Sequence, residues 1–168
     1  MHTDSDFVIT RLLDAPRGLV WQVHSEPAHL ARWWGPKGCA IDVARLDFVP
    51  GGLFHYAMRW DGQPPIWGRF VYREIEAPHR MVYVNSFADA EGGIVRNPWS
   101  PTWPLEMLTT LTLEEEGAQT RLTIRSSPLT ADEEEIRTFV AGHKSMEQGF
   151  SGTIEQLVDY LANLPRGA

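Results

Sequence analysis

The stretch from His143 to Leu164 constrains the fold more than any other part of the chain. On a 3.6-residue wheel its apolar residues share one side and its polar residues the other, which predicts an amphipathic helix roughly 30 Å long. No other segment predicts a helix of similar length, so this helix must pack on a sheet. Its apolar side is formed by Met146, Phe150, Thr153, Ile154, Leu157, Leu161 and Leu164.

Two glycines lie inside this predicted helix, where each costs about 1 kcal/mol relative to Ala. Gly149 falls at the edge of the apolar side, and Gly152 falls on the polar side. We therefore expect Gly149 either to allow close packing or to keep a cavity open between helix and sheet. We expect no role in the cavity for Gly152, because it lies on the polar side.

The composition is that of an ordinary globular protein. The 168 residues predict one domain, residues 1–168, with a flexible N-terminus at about 1–6. A net charge of −7 argues against a non-specific binder of nucleic acid or of a membrane surface, because such binders need clustered Lys and Arg. A lone cysteine, Cys39, fits a reducing compartment, and no signal peptide or membrane span is visible, so we expect a cytoplasmic protein.

Most of the chain before residue 127 alternates with the period of strands. A first strand at Phe7–Leu13 is followed by two short helices, since Pro27 would break a single one. Six more strands are predicted near 41–48, 53–60, 66–75, 80–87, 105–113 and 120–126. The interval at about 88–104 contains Trp99, Trp103 and several prolines, which predicts an ordered flap.

A short acidic helix is predicted before the long one. Thr130 and Glu133 have the spacing of a capping box, which predicts that this helix begins at Thr130. The order of elements predicts an α+β fold of the helix-grip type. In it, a curved antiparallel sheet of about seven strands wraps around one long C-terminal helix at about 143–164, with two short helices after the first strand.

Four segments in this order resemble a known family: VITRLLDAPRGLVWQVHSEPAHLARWWGP, PGGLFHYAM, WGRFVYREIEAPHRMVY and SMEQGFSGTIEQLVDYL. They resemble the START-like (SRPBCC, helix-grip) superfamily and, within it, the group of the activator of heat-shock protein 90 ATPase C-terminal-like domain. The resemblance covers almost the whole chain. It implies a cavity between sheet and helix, and it implies no reaction because the group is functionally mixed.

Large apolar side chains share predicted strand faces with a few polar groups. Tyr56 and Asn85 lie in phase with aromatic neighbours, so they could orient a ligand, bond to each other or bond to water, whereas the alternation directs His55 outward. The resemblance places the Trp33–Trp34 segment near the cavity mouth, with either both rings in the core or one at the entrance. The predicted cavity-lining residues are Trp33, Trp34, Phe54, Tyr56, Met58, Trp60, Phe70, Tyr72, Tyr83, Asn85, Phe87, Met107, Thr109, Met146, Gly149 and Phe150.

No catalytic residue is predicted, and we expect no metal and no cofactor. The histidines show no metal-binding spacing, and Cys39 has no cysteine partner. The chain also lacks a nucleophile elbow, a phosphate-binding loop and a dinucleotide-binding glycine motif after a strand.

Three functions remain open from the sequence. The first is binding of a small hydrophobic or aromatic molecule in the cavity, with no nucleic-acid or membrane partner. The second is a cyclase- or aromatase-like enzyme acting on a small apolar substrate, although no buried carboxylate or His lies in phase with the aromatic residues. The third, a co-chaperone-like interaction module, is suggested by the resemblance alone. The flap could close the cavity or form the interface of a homodimer.

Overall fold

The elements follow the predicted order. The computed structural model describes residues 5–35 and 38–164, so most of the predicted flexible N-terminus lies outside the described residues. In chain order the elements are β1 (Phe7–Leu13), α1 (Arg17–Ser25), α2 (Pro27–Trp33), β2 (Ala40–Leu46), β3 (Leu53–Arg59), β4 (Ile66–Glu76), β5 (Arg80–Ala88), β6 (Ile94–Val95), β7 (Glu106–Glu116), β8 (Gln119–Leu129), α3 (Glu133–Ala141) and α4 (His143–Ala162).

All the described strands belong to one antiparallel sheet. Their order is β1-β8-β7-β5-β4-β3-β2, with the short β6 pairing with β5. Register shifts interrupt the β2–β3 pairing after Val43 and the β4–β5 pairing after Tyr72, and such irregularities bend a strand and increase its twist. The predicted α+β helix-grip fold is confirmed, and β6, which the sequence did not predict, lies inside the flap.

The burial of α4 changes along its length. In its C-terminal half, four side chains are buried against the core: Thr153, Ile154, Leu157 and Leu161. In its N-terminal half, Met146 and Phe150 are only half-buried, and Gly149 is exposed. The helix therefore meets the other elements closely at one end and leaves space beneath it at the other. Among the described residues, no helix is long and apolar enough to cross a bilayer.

The flap packs against α3. The Trp103 ring lies 5.5 Å from the Phe139 ring, and the hydroxyl groups of Thr102 and Thr138 are 2.8 Å apart. Trp99, in contrast, is 68% exposed. The flap is therefore ordered by its contacts with a neighbouring helix, through one of its two tryptophans.

The predicted start of α3 is wrong. Its N-cap is Asp132, whose carboxylate accepts a hydrogen bond from the Glu135 amide (2.8 Å), while the Glu135 carboxylate accepts one from the Asp132 amide (3.1 Å). Thr130 has a φ of 54°, a left-handed conformation unlike the extended one of an N-cap. Thr130–Glu133 and Asp132–Glu135 have the same spacing, so the spacing alone does not determine which pair forms the capping box.

Asp132→Ala should lower the free energy of unfolding by about 1 kcal/mol, because it removes the N-cap of α3. Thr130→Ala is the matched control and should change it much less, since the Thr130 backbone is not in a capping conformation. Urea denaturation of both variants measures the difference. A larger loss in Thr130→Ala than in Asp132→Ala would contradict this assignment.

Candidate functional site

A cavity of about 320 Å³ lies between the sheet and the N-terminal half of α4, and we call it the central cavity. Its wall comes from the end of α2, from four strands and from α4. None of the described residues on this wall carries a charge. They are Trp34, Gly35, Tyr56, Met58, Phe70, Tyr83, Asn85, Phe87, Thr109, Met146, Gly149, Phe150 and Thr153.

Two smaller cavities share wall residues with the central cavity. The inner cavity, of about 20 Å³, is lined by core residues and has room for about one water molecule. The flap-side cavity, of about 130 Å³, lies beside Trp103 of the flap. Four residues line both the central and the flap-side cavities, and we call them the neck: Tyr56, Met58, Asn85 and Phe87.

Most of the predicted lining residues lie on the wall of the central cavity: Trp34, Tyr56, Met58, Phe70, Tyr83, Asn85, Phe87, Thr109, Met146, Gly149 and Phe150. Trp33, Phe54 and Tyr72 line the inner cavity instead, and Met107 lines the flap-side cavity. Trp60 lines none of these three. It follows Arg59, the last residue of β3, and beyond that point strand alternation no longer fixes the direction of a side chain.

The sequence did not identify Gly35 and Thr153 on the central wall, nor Gly68 on the flap-side wall. Gly68 is paired with Tyr56 across β3 and β4, and a Cβ atom on Gly68 would lie 2.5 Å from the Tyr56 hydroxyl oxygen. Glycine is therefore required for the Tyr56 side chain to occupy its position. An isolated glycine inside a strand indicates such a close approach, so this signal was present in the sequence.

The adjacent tryptophans have separate environments. Trp33 is buried, and its indole N–H donates a hydrogen bond to the Val23 carbonyl (3.0 Å). Trp34 is half-buried, and its ring meets the Tyr56 and Phe70 rings edge to face at 6.1 and 5.5 Å. Trp33 thus belongs to the core, and Trp34 forms part of the central wall.

A chain of hydrogen bonds crosses three strands and ends at the central cavity. The buried Thr109 hydroxyl donates to the Asn85 side-chain carbonyl (2.7 Å), and its oxygen lies 2.8 Å from the Ser126 hydroxyl. Thr109 has one hydroxyl proton, so Ser126 is the donor in the second bond. Asn85 is thereby held by its carbonyl oxygen, and its amide nitrogen retains two protons to donate.

Burial keeps the phenols of this region protonated. It raises the pKa of Tyr56 to about 12, although the neighbouring Trp34 side chain opposes part of the rise. It also raises the pKa values of Tyr72 and Tyr83 well above their ordinary value. At neutral pH these side chains are therefore uncharged hydrogen-bonding groups.

Two histidines are buried away from the central cavity. His24 lines the inner cavity, its Nδ1 lies 2.8 Å from the Val20 carbonyl oxygen, and burial lowers its pKa to about 4. His55 is directed to the other side of β3, as predicted, but it is only 6% exposed because it stacks on Trp67 and its Nε2 contacts the Asp89 carbonyl oxygen (2.9 Å). Neither lines the central cavity.

The lowered pKa of His24 makes stability depend on pH. Since its folded pKa of about 4 lies below the ordinary histidine pKa of 6.5, its contribution is complete above pH 6.5 and is lost as the pH falls towards 4. We expect His24→Gln to reduce the loss of unfolding free energy across this window by about 3 kcal/mol. Urea denaturation at several pH values measures this difference. If the unfolding free energy falls equally steeply with pH in His24→Gln and in the parent protein, the prediction is contradicted.

Comparison with known proteins agrees with this architecture. The chain matches the family model for the activator of Hsp90 ATPase homolog 1-like protein over residues 14–162. A solution structure of a protein from Arthrobacter aurescens has a TM-score of 0.79 and 28% identity, covering 99% of this chain and 92% of that one. A crystal structure of a protein from Mycobacterium smegmatis has a TM-score of 0.74 and 25% identity, covering 97% of this chain and 92% of that one.

The fold of the AHSA1 protein from Silicibacter pomeroyi is also similar, with a TM-score of 0.68 and 20% identity over 94% of this chain and 97% of that one. A search of curated proteins found no match. The family match spans both ends of the helix-grip fold, from the residue after β1 to the last residue of α4. The chain therefore belongs to the activator of Hsp90 ATPase homolog 1-like family, within the START-like (SRPBCC) superfamily.

Proposed function

We propose that the protein binds a small hydrophobic or aromatic molecule in the central cavity. The observation that carries this proposal is a space of about 320 Å³ whose described wall is largely aromatic and carries no charged side chain. This volume lies at the lower end of the range for pockets that enclose small molecules. Moving an apolar ligand from water into it yields about 25 cal/mol for each Å² of apolar surface buried.

The position of Gly149 supports uptake of a ligand from solvent. Gly149 lies on the cavity wall and is also exposed, so the wall reaches the surface beside the N-terminal half of α4. A Cβ atom on Gly149 would have no neighbour within 4 Å. A close contact therefore does not require glycine at position 149. The geometry favours the alternative, that Gly149 keeps the edge of the cavity open.

The chemistry of the wall supports binding rather than acid–base catalysis. General acid–base catalysis needs a titratable group within hydrogen-bond reach of the substrate. The described wall of the central cavity contains no His, Asp, Glu, Lys or Arg, and burial keeps the pKa of Tyr56 at about 12. A cytoplasmic location, a homodimer and a co-chaperone role stay predictions.

A Leu at position 149 should obstruct the cavity without unfolding the protein. We expect Gly149→Leu to weaken binding of the neutral fluorescent probe N-phenyl-1-naphthylamine by about five- to 150-fold, because overpacking costs roughly 1–3 kcal/mol. The same change should raise the free energy of unfolding by about 1 kcal/mol, since Leu is the better helix former. Fluorescence titration and urea denaturation measure the two effects.

Gly152→Leu is the matched control. Gly152 lies on the same helix, also has open space around a built Cβ atom, and does not line the central cavity. This variant should gain similar stability and bind the probe as the parent protein does. Equal probe affinity in Gly149→Leu and the parent would show that the ligand does not occupy this cavity.

A further inference from the structure

The neck offers hydrogen-bond donors to a ligand, and its amide oxygen is already held in an internal bond. The Asn85 carbonyl oxygen already accepts from Thr109, which leaves the Asn85 amide protons. Tyr56 also lines both cavities, and its hydroxyl group carries a proton that it can donate. Two side chains from different strands thus present donors at the junction of two cavities, and a matching ligand atom must be an acceptor.

The walls also restrict the charge of that acceptor. Among the described residues that line the central and flap-side cavities, none is Lys, Arg or His, so a carboxylate would lose its hydration without gaining a counter-ion. A neutral acceptor avoids this cost. A carbonyl oxygen accepts through two lone pairs and has no proton of its own to satisfy, unlike a hydroxyl group.

The position of the neck restricts the shape of the ligand. Tyr56 and Asn85 line both the larger space, of about 320 Å³, and the smaller space, of about 130 Å³, so a ligand that contacts both residues can extend into either space. Both spaces have mainly apolar walls. The larger one includes the flat stack of Phe70 and Tyr83, whose ring centres are 4.0 Å apart with an interplanar angle of 5°.

We propose that the ligand is an uncharged molecule with a carbonyl group between two apolar parts, held at the neck by hydrogen bonds from Asn85 and Tyr56. This inference rests on the proposed function and specifies the chemical class of the ligand. The larger apolar part lies in the central cavity, and the smaller part extends into the flap-side cavity beside Trp103.

Four compounds with the same two phenyl rings test the class: benzophenone, diphenylmethanol, diphenylmethane and diphenylacetate. Each is titrated against the protein with bound N-phenyl-1-naphthylamine, and displacement gives its affinity. Benzophenone should bind about tenfold more tightly than diphenylmethane. One net hydrogen bond changes an affinity roughly two- to tenfold, and the neck offers two donors to the benzophenone carbonyl. Diphenylmethanol should bind less tightly than benzophenone, and diphenylacetate should bind most weakly.

Variants test the two donors separately. Tyr56→Phe and Asn85→Leu should each reduce the ratio of benzophenone to diphenylmethane affinity by about threefold or more. The affinity for diphenylmethane reports whether the cavity itself survives in each variant. Tyr160→Phe, which removes a hydroxyl group hydrogen-bonded to His29 outside the three cavities, should leave the ratio unchanged.

The outcomes separate this inference from the proposed function. Equal affinity for benzophenone and diphenylmethane, or tighter binding of diphenylmethanol or diphenylacetate, overturns the carbonyl class while leaving the apolar site in place. A preference for benzophenone that persists in both Tyr56→Phe and Asn85→Leu overturns the role of the neck. If neither the fluorescent probe nor any of the four compounds binds, the proposed function fails as well.

Discussion

The packing of α4 is the constraint on which the rest of the structure depends. Its C-terminal half is fixed by buried apolar contacts and by Gln156, whose amide donates to the Gly35 carbonyl (2.6 Å) on the cavity wall. At its N-terminus, His143 Nε2 contacts the Ser5 carbonyl oxygen (3.0 Å), and Phe7 stacks on Phe150 with ring centres 5.6 Å apart. A helix packed closely along its C-terminal half, and anchored in its N-terminal half without filling the space beneath it, leaves the central cavity as a feature of the fold.

The polar groups beside the central cavity are held by bonds to one another. Burying Asn85, Thr109 and Ser126 beside an apolar space requires that each find a partner, and a well-packed apolar set can be equally or more stable. Their bonds to one another satisfy that requirement and fix the orientation of Asn85. Tyr56 is fixed by packing, because Gly68 leaves room for its phenol and the Trp34 ring meets its ring edge to face. Such restraint is expected of groups that must orient a ligand.

The sequence predicted the features that depend on periodicity and missed those that depend on contact. Strand alternation assigned Asn85 to the cavity face, because one face of a paired strand is fixed once its neighbours are known. It failed for Trp60, which lies one residue beyond a strand end. The choice of Asp132 over Thr130 as the cap, and the contact of Gly68 with Tyr56, depend on the path of the backbone in three dimensions, which spacing does not determine.

A crystal structure of the protein pressurised with xenon tests the central claim most directly, because xenon enters apolar cavities without requiring a specific ligand. An open central cavity predicts a xenon site bounded by Trp34, Tyr83 and Phe150. It also predicts that Met146 and Phe150 remain on the wall of that space. A structure in which the side chains of Met146 and Phe150 fill the space, with no xenon between α4 and the sheet, would contradict the account.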